Sequence, residues 1–255
     1  MKSFDFRPAS KPTFYFIGVT TSRSSIMKVF PRWAEHLGLG DVALRGIDCA
    51  VHDEPAVYRR IVAFLKDDPL SLGAAVTTHK IHLLGAGGSS LALTTYLMHF
   101  HSREDLPTRI RVTNRSKARL ESTEAVHAKI NPGIPVTYVH AENAERNDAV
   151  VGSLPPRSLV VNATGLGKDA PGSPLTEAAV LPMNGAAWDF NHRGDLVFLD
   201  QARAQTEQRK LHIEDGWLYF IYGWLEGIAQ VFDVDVPLEG RRFEEIRRIA
   251  EETRM

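Results

Sequence analysis

Cysteine is almost absent. Cys49 stands alone among 255 residues, which excludes an intramolecular disulfide and makes the cytosol the expected compartment. An excess of charge is missing as well. The 30 Lys plus Arg face 31 Asp plus Glu, a formal net charge of −1, and that balance argues against a nucleic-acid binder working through a dense basic face. No apolar run is long enough to span a bilayer comfortably. The longest, residues 217–232, contains Glu226 and reads as a buried helix, so no membrane partner is expected. Residues 1–20 do not read as a signal peptide, because Lys11 and Pro12 interrupt them and the apolar run 14–19 is too short. Internal repeats and low-complexity tracts are also lacking. His99 and His101 flank Phe100, but no further ligands converge there in sequence, so no metal site is expected. What remains, 44% hydrophobic and 24% charged residues, is the composition of a soluble globular chain of one or two domains.

Strands and helices alternate. Residues 14–19, 42–47 and 74–78 read as strands. Between them, residues 25–37 carry Ile26, Val29, Phe30, Trp33 and Leu37 at helical spacing, and residues 55–65 carry Val57, Ile61 and Leu65. A second series follows, with strands at 81–84, 109–113, 135–139, 158–162, 186–190 and 211–213. Its helices run from the glycine turn to about residue 100, then over 116–130 and 195–205. Helices at 215–232 and 243–253 close the chain. The alternation predicts an α/β fold with parallel sheets. Residues 241–252 are dense in Arg and Glu and read as a solvated face, tied by Glu244–Arg248 and Arg247–Glu251 pairs.

The strongest local signal is Gly85-Ala86-Gly87-Gly88-Ser89-Ser90. A strand runs into a glycine turn that opens a helix. Gly85 permits the turn, Gly87 lets a pyrophosphate approach the backbone, and Ser90 sits where a third glycine would pack the helix on the sheet. Free N–H groups at the helix start favour phosphate. Alone, the turn also fits an α/β domain without nucleotide.

At the next strand end, where NAD binders usually carry a carboxylate for the ribose hydroxyls, this chain has Asn114-Arg115-Ser116-Lys117-Ala118-Arg119. A carboxylate would repel a 2′-phosphate, whereas a guanidinium grips one with paired hydrogen bonds. Cations are disfavoured at a helix start, so a merely structural role leaves this cluster unexplained, and NADP is expected over NAD. Asn162-Ala163-Thr164-Gly165-Leu166-Gly167 follows a strand whose end would lie beside the cofactor crevice.

These segments, in this order, resemble the shikimate/quinate dehydrogenase family along nearly the whole chain. Ser22-Arg23-Ser24-Ser25 resembles the Ser-Lys-Ser-Pro segment whose serines hold the substrate carboxylate. Val76-Thr77-Thr78-His79-Lys80 resembles the segment ending in the catalytic lysine. The glycine turn, Asn114-Arg115-Ser116 and Asn162-Ala163-Thr164 resemble the NADP-binding segments, and residues 189–202 and 216–232 the two C-terminal signatures.

The resemblance implies a substrate domain of residues 1–80 and 216–255 and a Rossmann-type, doubly wound NADP domain of residues 81–215, with substrate in the cleft between them. It implies hydride transfer between a nicotinamide and a ring carbon of shikimate or quinate, with Lys80 as general acid/base. Ser22, Ser24, Thr77, Thr78 and Tyr222 would bind substrate. Gly85, Ala86, Gly87, Gly88, Ser89, Asn114, Arg115, Ser116, Arg119, Asn162, Ala163, Thr164 and Gly216 would bind NADP, with NAD left open. Monomer and homodimer both fit.

The chain departs from the pattern in places. The Lys80 segment lacks its proline, His192 stands where a tyrosine is expected, and Tyr222-Gly223 where a glutamine is. The family's Asn-Thr-Asp segment, with the lysine's aspartate partner, has no counterpart. Only His79 and Lys80 separate two expected strands, too few for a parallel crossover or a link between domains. The expectation is therefore that further residues belong between Lys80 and Ile81. Without them, a catalytically inactive nucleotide-binding paralogue is the competing reading, beside an NAD-dependent quinate dehydrogenase.

Overall fold

The computed structural model describes residues 5–18, 21–49, 55–76, 86, 88–99, 107–130 and 134–254. The chain divides into two compact units, Met1–Thr78 with Tyr219–Met255, and His79–Leu218.

In the first unit, β1 (Thr13–Gly18) lies between β2 (Ala43–Asp48) and β3 (Ser71–Val76), all parallel. A central strand covered on both faces should be apolar throughout, and β1 is buried along its whole length. Its alternate residues serve different layers. Phe14 and Phe16 meet Trp224 with ring centroids 6.2 and 5.3 Å apart, and Phe14 meets Phe232 at 5.7 Å. Both partners lie on α8 (Trp217–Phe232), so the returning C-terminal segment covers one face. Tyr15 and Ile17 pack on the other side with Ile47, Cys49 and Ile61 of α2 (Pro55–Asp67).

The helix α1 (Ile26–His36) buries Ile26, Val29, Phe30 and Trp33, and α9 (Gly240–Glu251) buries Phe243, Ile246 and Ile249. Trp33 Nε1 donates to the Ile246 carbonyl at 3.0 Å, and Arg32 reaches both the Ile249 carbonyl and Glu252. The charges on α9 pair otherwise than expected. Arg247 meets Glu244 at i,i+3, while Arg241 meets Glu245 and Arg248 meets Glu252 at i,i+4. Glu252 is shared between Arg248 and Arg32 of α1.

The second unit contains α3 (Gly88–His99), β4 (Ile110–Asn114), α4 (Lys117–Ile130), β5 (Val136–His140), α5 (Ala144–Gly152), β6 (Leu159–Asn162), β7 (Ala186–Asp189), α6 (Val197–Arg203), α7 (Thr206–Arg209) and β8 (His212–Glu214). Strand β4 pairs with β5, and β7 lies between β6 and β8, all parallel. His127 joins three elements: its Nε2 lies 2.7 Å from Thr94 Oγ1 on α3 and its Nδ1 2.7 Å from the Tyr138 hydroxyl on β5. Burial holds the imidazole below its usual range, favouring the neutral form that such a network needs.

Two elements differ from expectation. Helix α5 was not among the expected elements, and Ala149, Val150 and Val151 give it only weak helical periodicity. Its start is fixed by Asn143, whose Oδ1 accepts from Arg146 N at 3.0 Å. The helix expected over 195–205 is divided in two. The Gln205 side chain turns to bind the Leu181 N–H and the Ala179 carbonyl, and the chain leaves the helix there.

The strand expected at 81–84 lies outside the described residues. The sequence itself joins Lys80 directly to Ile81. The expected further residues are therefore not part of this chain. Among the described residues no helix is long and apolar enough to cross a membrane.

Candidate active site

In parallel α/β folds, ligands bind beyond the carboxyl ends of the strands. Strand β4 ends at Asn114, whose Oδ1 accepts from Ser116 N at 2.7 Å and so bends the chain into α4. Ser116 Oγ then faces Arg119 N at 3.4 Å. Arg115 and Lys117 are exposed and Arg119 is half-buried. No Asp or Glu occurs from Ile110 to Leu120. Three cations with no carboxylate on their own segment suit a phosphate ester better than a diol. His140, at the end of β5, places Nε2 3.0 Å from the Arg115 carbonyl, a contact that periodicity alone does not reveal.

On α3, Ala86 precedes the helix and is buried, Ser89 is half-buried, and Ser90 is fully buried against the unit's interior. The backbone of Gly88 begins the helix. Gly85 and Gly87 lie outside the described residues, as do Thr77, Thr78 and Lys80.

The end of β6 is a clamp. Asn162 is fully buried and gives its amide N–H to Asp189 Oδ2 at 3.0 Å, while its Oδ1 accepts from Thr164 N and Oγ1, both at 2.9 Å. Asn191 donates to the Thr164 and Leu166 carbonyls at 2.9 and 3.2 Å. The Asn162 side chain is thereby committed to shaping the turn, and Ala163 is buried beside it. Asp189 is fully buried, and burial pushes its carboxyl up to about 6, against the opposing effect of hydrogen bonds from Asn191 and Asn162. The turn approaches the loop after β7 so closely that a Cβ on Gly194 (φ +91°) would lie 2.2 Å from the Gly167 carbonyl oxygen. Gly216 is a second such point: a Cβ there would lie 2.0 Å from the Phe190 carbonyl oxygen, so packing alone requires glycine. His192 places its ring 5.3 Å from that of Trp217.

In the first unit, Ser22 is exposed and Ser24 half-buried, in and just after the 3-10 turn Thr21–Arg23. Sequence reasoning missed the support of that turn: Thr21 N and Oγ1 donate to Asp48 Oδ1 at 2.8 and 2.6 Å. Tyr222 is 40% exposed, with its ring stacked on Phe243 at 5.1 Å. Among the described residues no cluster of three or more His, Cys, Asp or Glu could hold a metal.

These features define a protein with a Rossmann-like α/β unit and a second α/β unit built from both ends of the chain. The fold is that of the shikimate and quinate dehydrogenases. A quinate dehydrogenase from Corynebacterium glutamicum in complex with NAD is similar with a TM-score of 0.65 and 14% identity, over 95% of this chain and 99% of that one. A shikimate dehydrogenase in complex with NADP+ gives 0.66 and 13%, over 96% of each chain. Shikimate dehydrogenase from Thermotoga maritima gives 0.61 and 15%, over 94% of this chain and 99% of that one. No family model and no curated protein matches the sequence.

Proposed function

We propose that the protein is an NADP-dependent oxidoreductase that interconverts shikimate, quinate or a related cyclic hydroxy acid and its 3-dehydro ketone. The observation that carries this reading is the fold, shared over 94–96% of the chain with shikimate and quinate dehydrogenases. The cations at the end of β4 support NADP.

Bound nicotinamide would supply the hydride acceptor and donor. Gly85, Ala86, Gly87, Gly88 and Ser89 would offer backbone N–H groups to the phosphates. Asn114 and Ser116 shape the turn that presents Arg115 and Arg119 to the 2′-phosphate. Asn162, Ala163, Thr164 and Gly216 hold the backbone at the ends of β6 and β7. Ser22, Ser24, Thr77, Thr78 and Tyr222 would bind the substrate carboxylate and hydroxyls. The resemblance gives the proton step to Lys80.

One observation favours a competing reading, a nucleotide-binding protein without turnover: no aspartate accompanies Lys80, because the chain passes directly to Ile81. An NAD-dependent quinate dehydrogenase is the other alternative, favoured by the similarity to the NAD complex. One panel separates the three. Purified protein is given shikimate or quinate with NADP or NAD, and the absorbance of reduced nicotinamide is followed. Turnover with NADP preferred is the expected result. Preference for NAD with quinate selects the second alternative, and cofactor binding without turnover the first.

A further inference from the structure

The 3-10 turn Thr21–Arg23 is anchored on both sides. Thr21 is buried, and its N and Oγ1 both donate to Asp48 Oδ1, at 2.8 and 2.6 Å. The Thr21 carbonyl accepts from Ser24 N at 3.0 Å, which closes the turn. Beyond it, the Ser25 carbonyl accepts from Lys28 N and Val29 N at 3.0 and 3.1 Å, and α1 is fixed by its buried Ile26, Val29 and Phe30. Between these anchors Ser22 and Arg23 are exposed and Ser24 is half-buried. Among the described residues no carboxylate pairs with Arg23.

Strand β2 brings Asp48 to this place. It runs parallel to β1 with Asp48 opposite Gly18, so the carboxylate stands at the carboxyl end of both strands, the edge where ligands of parallel α/β folds bind. Gly46, two residues earlier and so on the same face of the strand, leaves room for Thr21: a Cβ there would lie 2.1 Å from Thr21 Oγ1. Hydrogen bonds to a carboxylate are roughly twice as strong as those between neutral groups, so Asp48 is a firmer anchor than a carbonyl would be.

We propose that Asp48 is a positioning residue for substrate binding: through Thr21 it holds Ser22 and Ser24 ready for the carboxylate of the cyclic hydroxy acid. The proposal rests on the reading above, which gives that carboxylate to the two serines. Aspartate, threonine and serines all belong to one compact unit. A carboxylate is bound through short, directional hydrogen bonds, and donors fixed beforehand lose little freedom when it arrives. Asp48 acts through the turn and need not touch the acid. Its role is therefore to set affinity for the acid and not the rate of the chemical step.

The test titrates the full chain calorimetrically with shikimate and quinate, and with their methyl esters, which lack the carboxylate charge. Thr21→Val keeps the shape of the side chain and removes its hydroxyl, and Asp48→Ala removes the acceptor. Both should weaken binding of the acid by about tenfold or more and leave the ester nearly unchanged. Thr21→Ser and Asp48→Asn keep donor and acceptor and should stay close to the parent. Under turnover the same variants should raise KM for the acid while kcat and NADP affinity hold. Should Asp48→Ala fail to fold, Thr21→Val decides alone. Unchanged affinity for the acid, or equal losses for acid and ester, would overturn the proposal, the second because it marks a merely structural tie. Acid that binds without turnover would remove the hydride-transfer reading and leave the positioning role standing. Binding of neither acid would remove both.

Discussion

On the proposed function, cofactor choice falls to single side chains, and single side chains also carry electrostatic cost. Arg115 is exposed at the end of β4 with no carboxylate near it in sequence. Arg115→Ala should cost about 1.5–3 kcal/mol of charge-assisted binding, a loss of roughly 10- to 150-fold in NADP affinity. Affinity for NAD should hardly change. Fluorescence titration with both reduced cofactors checks this, and equal losses would contradict it. Asp189 makes a different prediction. Its carboxyl, raised to about 6 in the fold, binds its proton more tightly there than in the unfolded chain. The folded state is thus favoured at low pH and loses stability as pH rises through about 6. Asp189→Asn does not titrate. Between pH 4 and pH 7 the stability of the parent should fall by about 2–3 kcal/mol relative to that variant, as urea unfolding would show. No such relative change would mean that Asp189 ionises freely in the fold.

Trp33 of α1 is fully buried, and its indole donates to a carbonyl of α9. Trp33→Ala should destabilise the first unit by about 3–5 kcal/mol, and Trp33→Phe by less, since it removes chiefly one hydrogen bond and little volume. Denaturant unfolding orders the two, and equal costs would mean that the lost hydrogen bond carries the effect and the buried ring adds nothing. At Gly194, alanine must adopt φ +91° and push its Cβ toward the Gly167 carbonyl, so Gly194→Ala should cost at least about 2 kcal/mol. A loss under 0.5 kcal/mol, about the size of an ordinary surface substitution, would mean that the two loops yield easily.

Most elements were legible because their apolar spacing matches their burial: β1 as a continuous apolar run, α1 through Ile26, Val29, Phe30 and Trp33. Helix α5 was not, because its start depends on the Asn143 cap more than on an apolar stripe. The tie between Thr21 and Asp48 was hidden for another reason. It exists only where the turn before α1 meets the end of β2, and no sequence spacing encodes that meeting.

The whole molecule combines a Rossmann-type unit with a smaller α/β unit assembled from both chain ends. In the smaller unit, β1 is sandwiched so that Phe14 and Phe16 face the returning helix α8 while Tyr15 and Ile17 face α2. The order of segments along the chain made this arrangement readable, since no single motif is decisive alone. The short join after Lys80 was readable too, but its meaning was not: the chain is continuous there and carries no aspartate. Whether chemistry persists without that group decides between an enzyme and a silent nucleotide binder. The most direct measurement follows the hydride itself. Shikimate or quinate deuterated at the carbinol carbon is incubated with NADP and the full-length protein, and the reduced cofactor is examined by NMR. The account predicts deuterium at C4 of the nicotinamide, on one face of the ring. Cofactor that binds but remains oxidised, with no deuterium transferred from either acid, would contradict it.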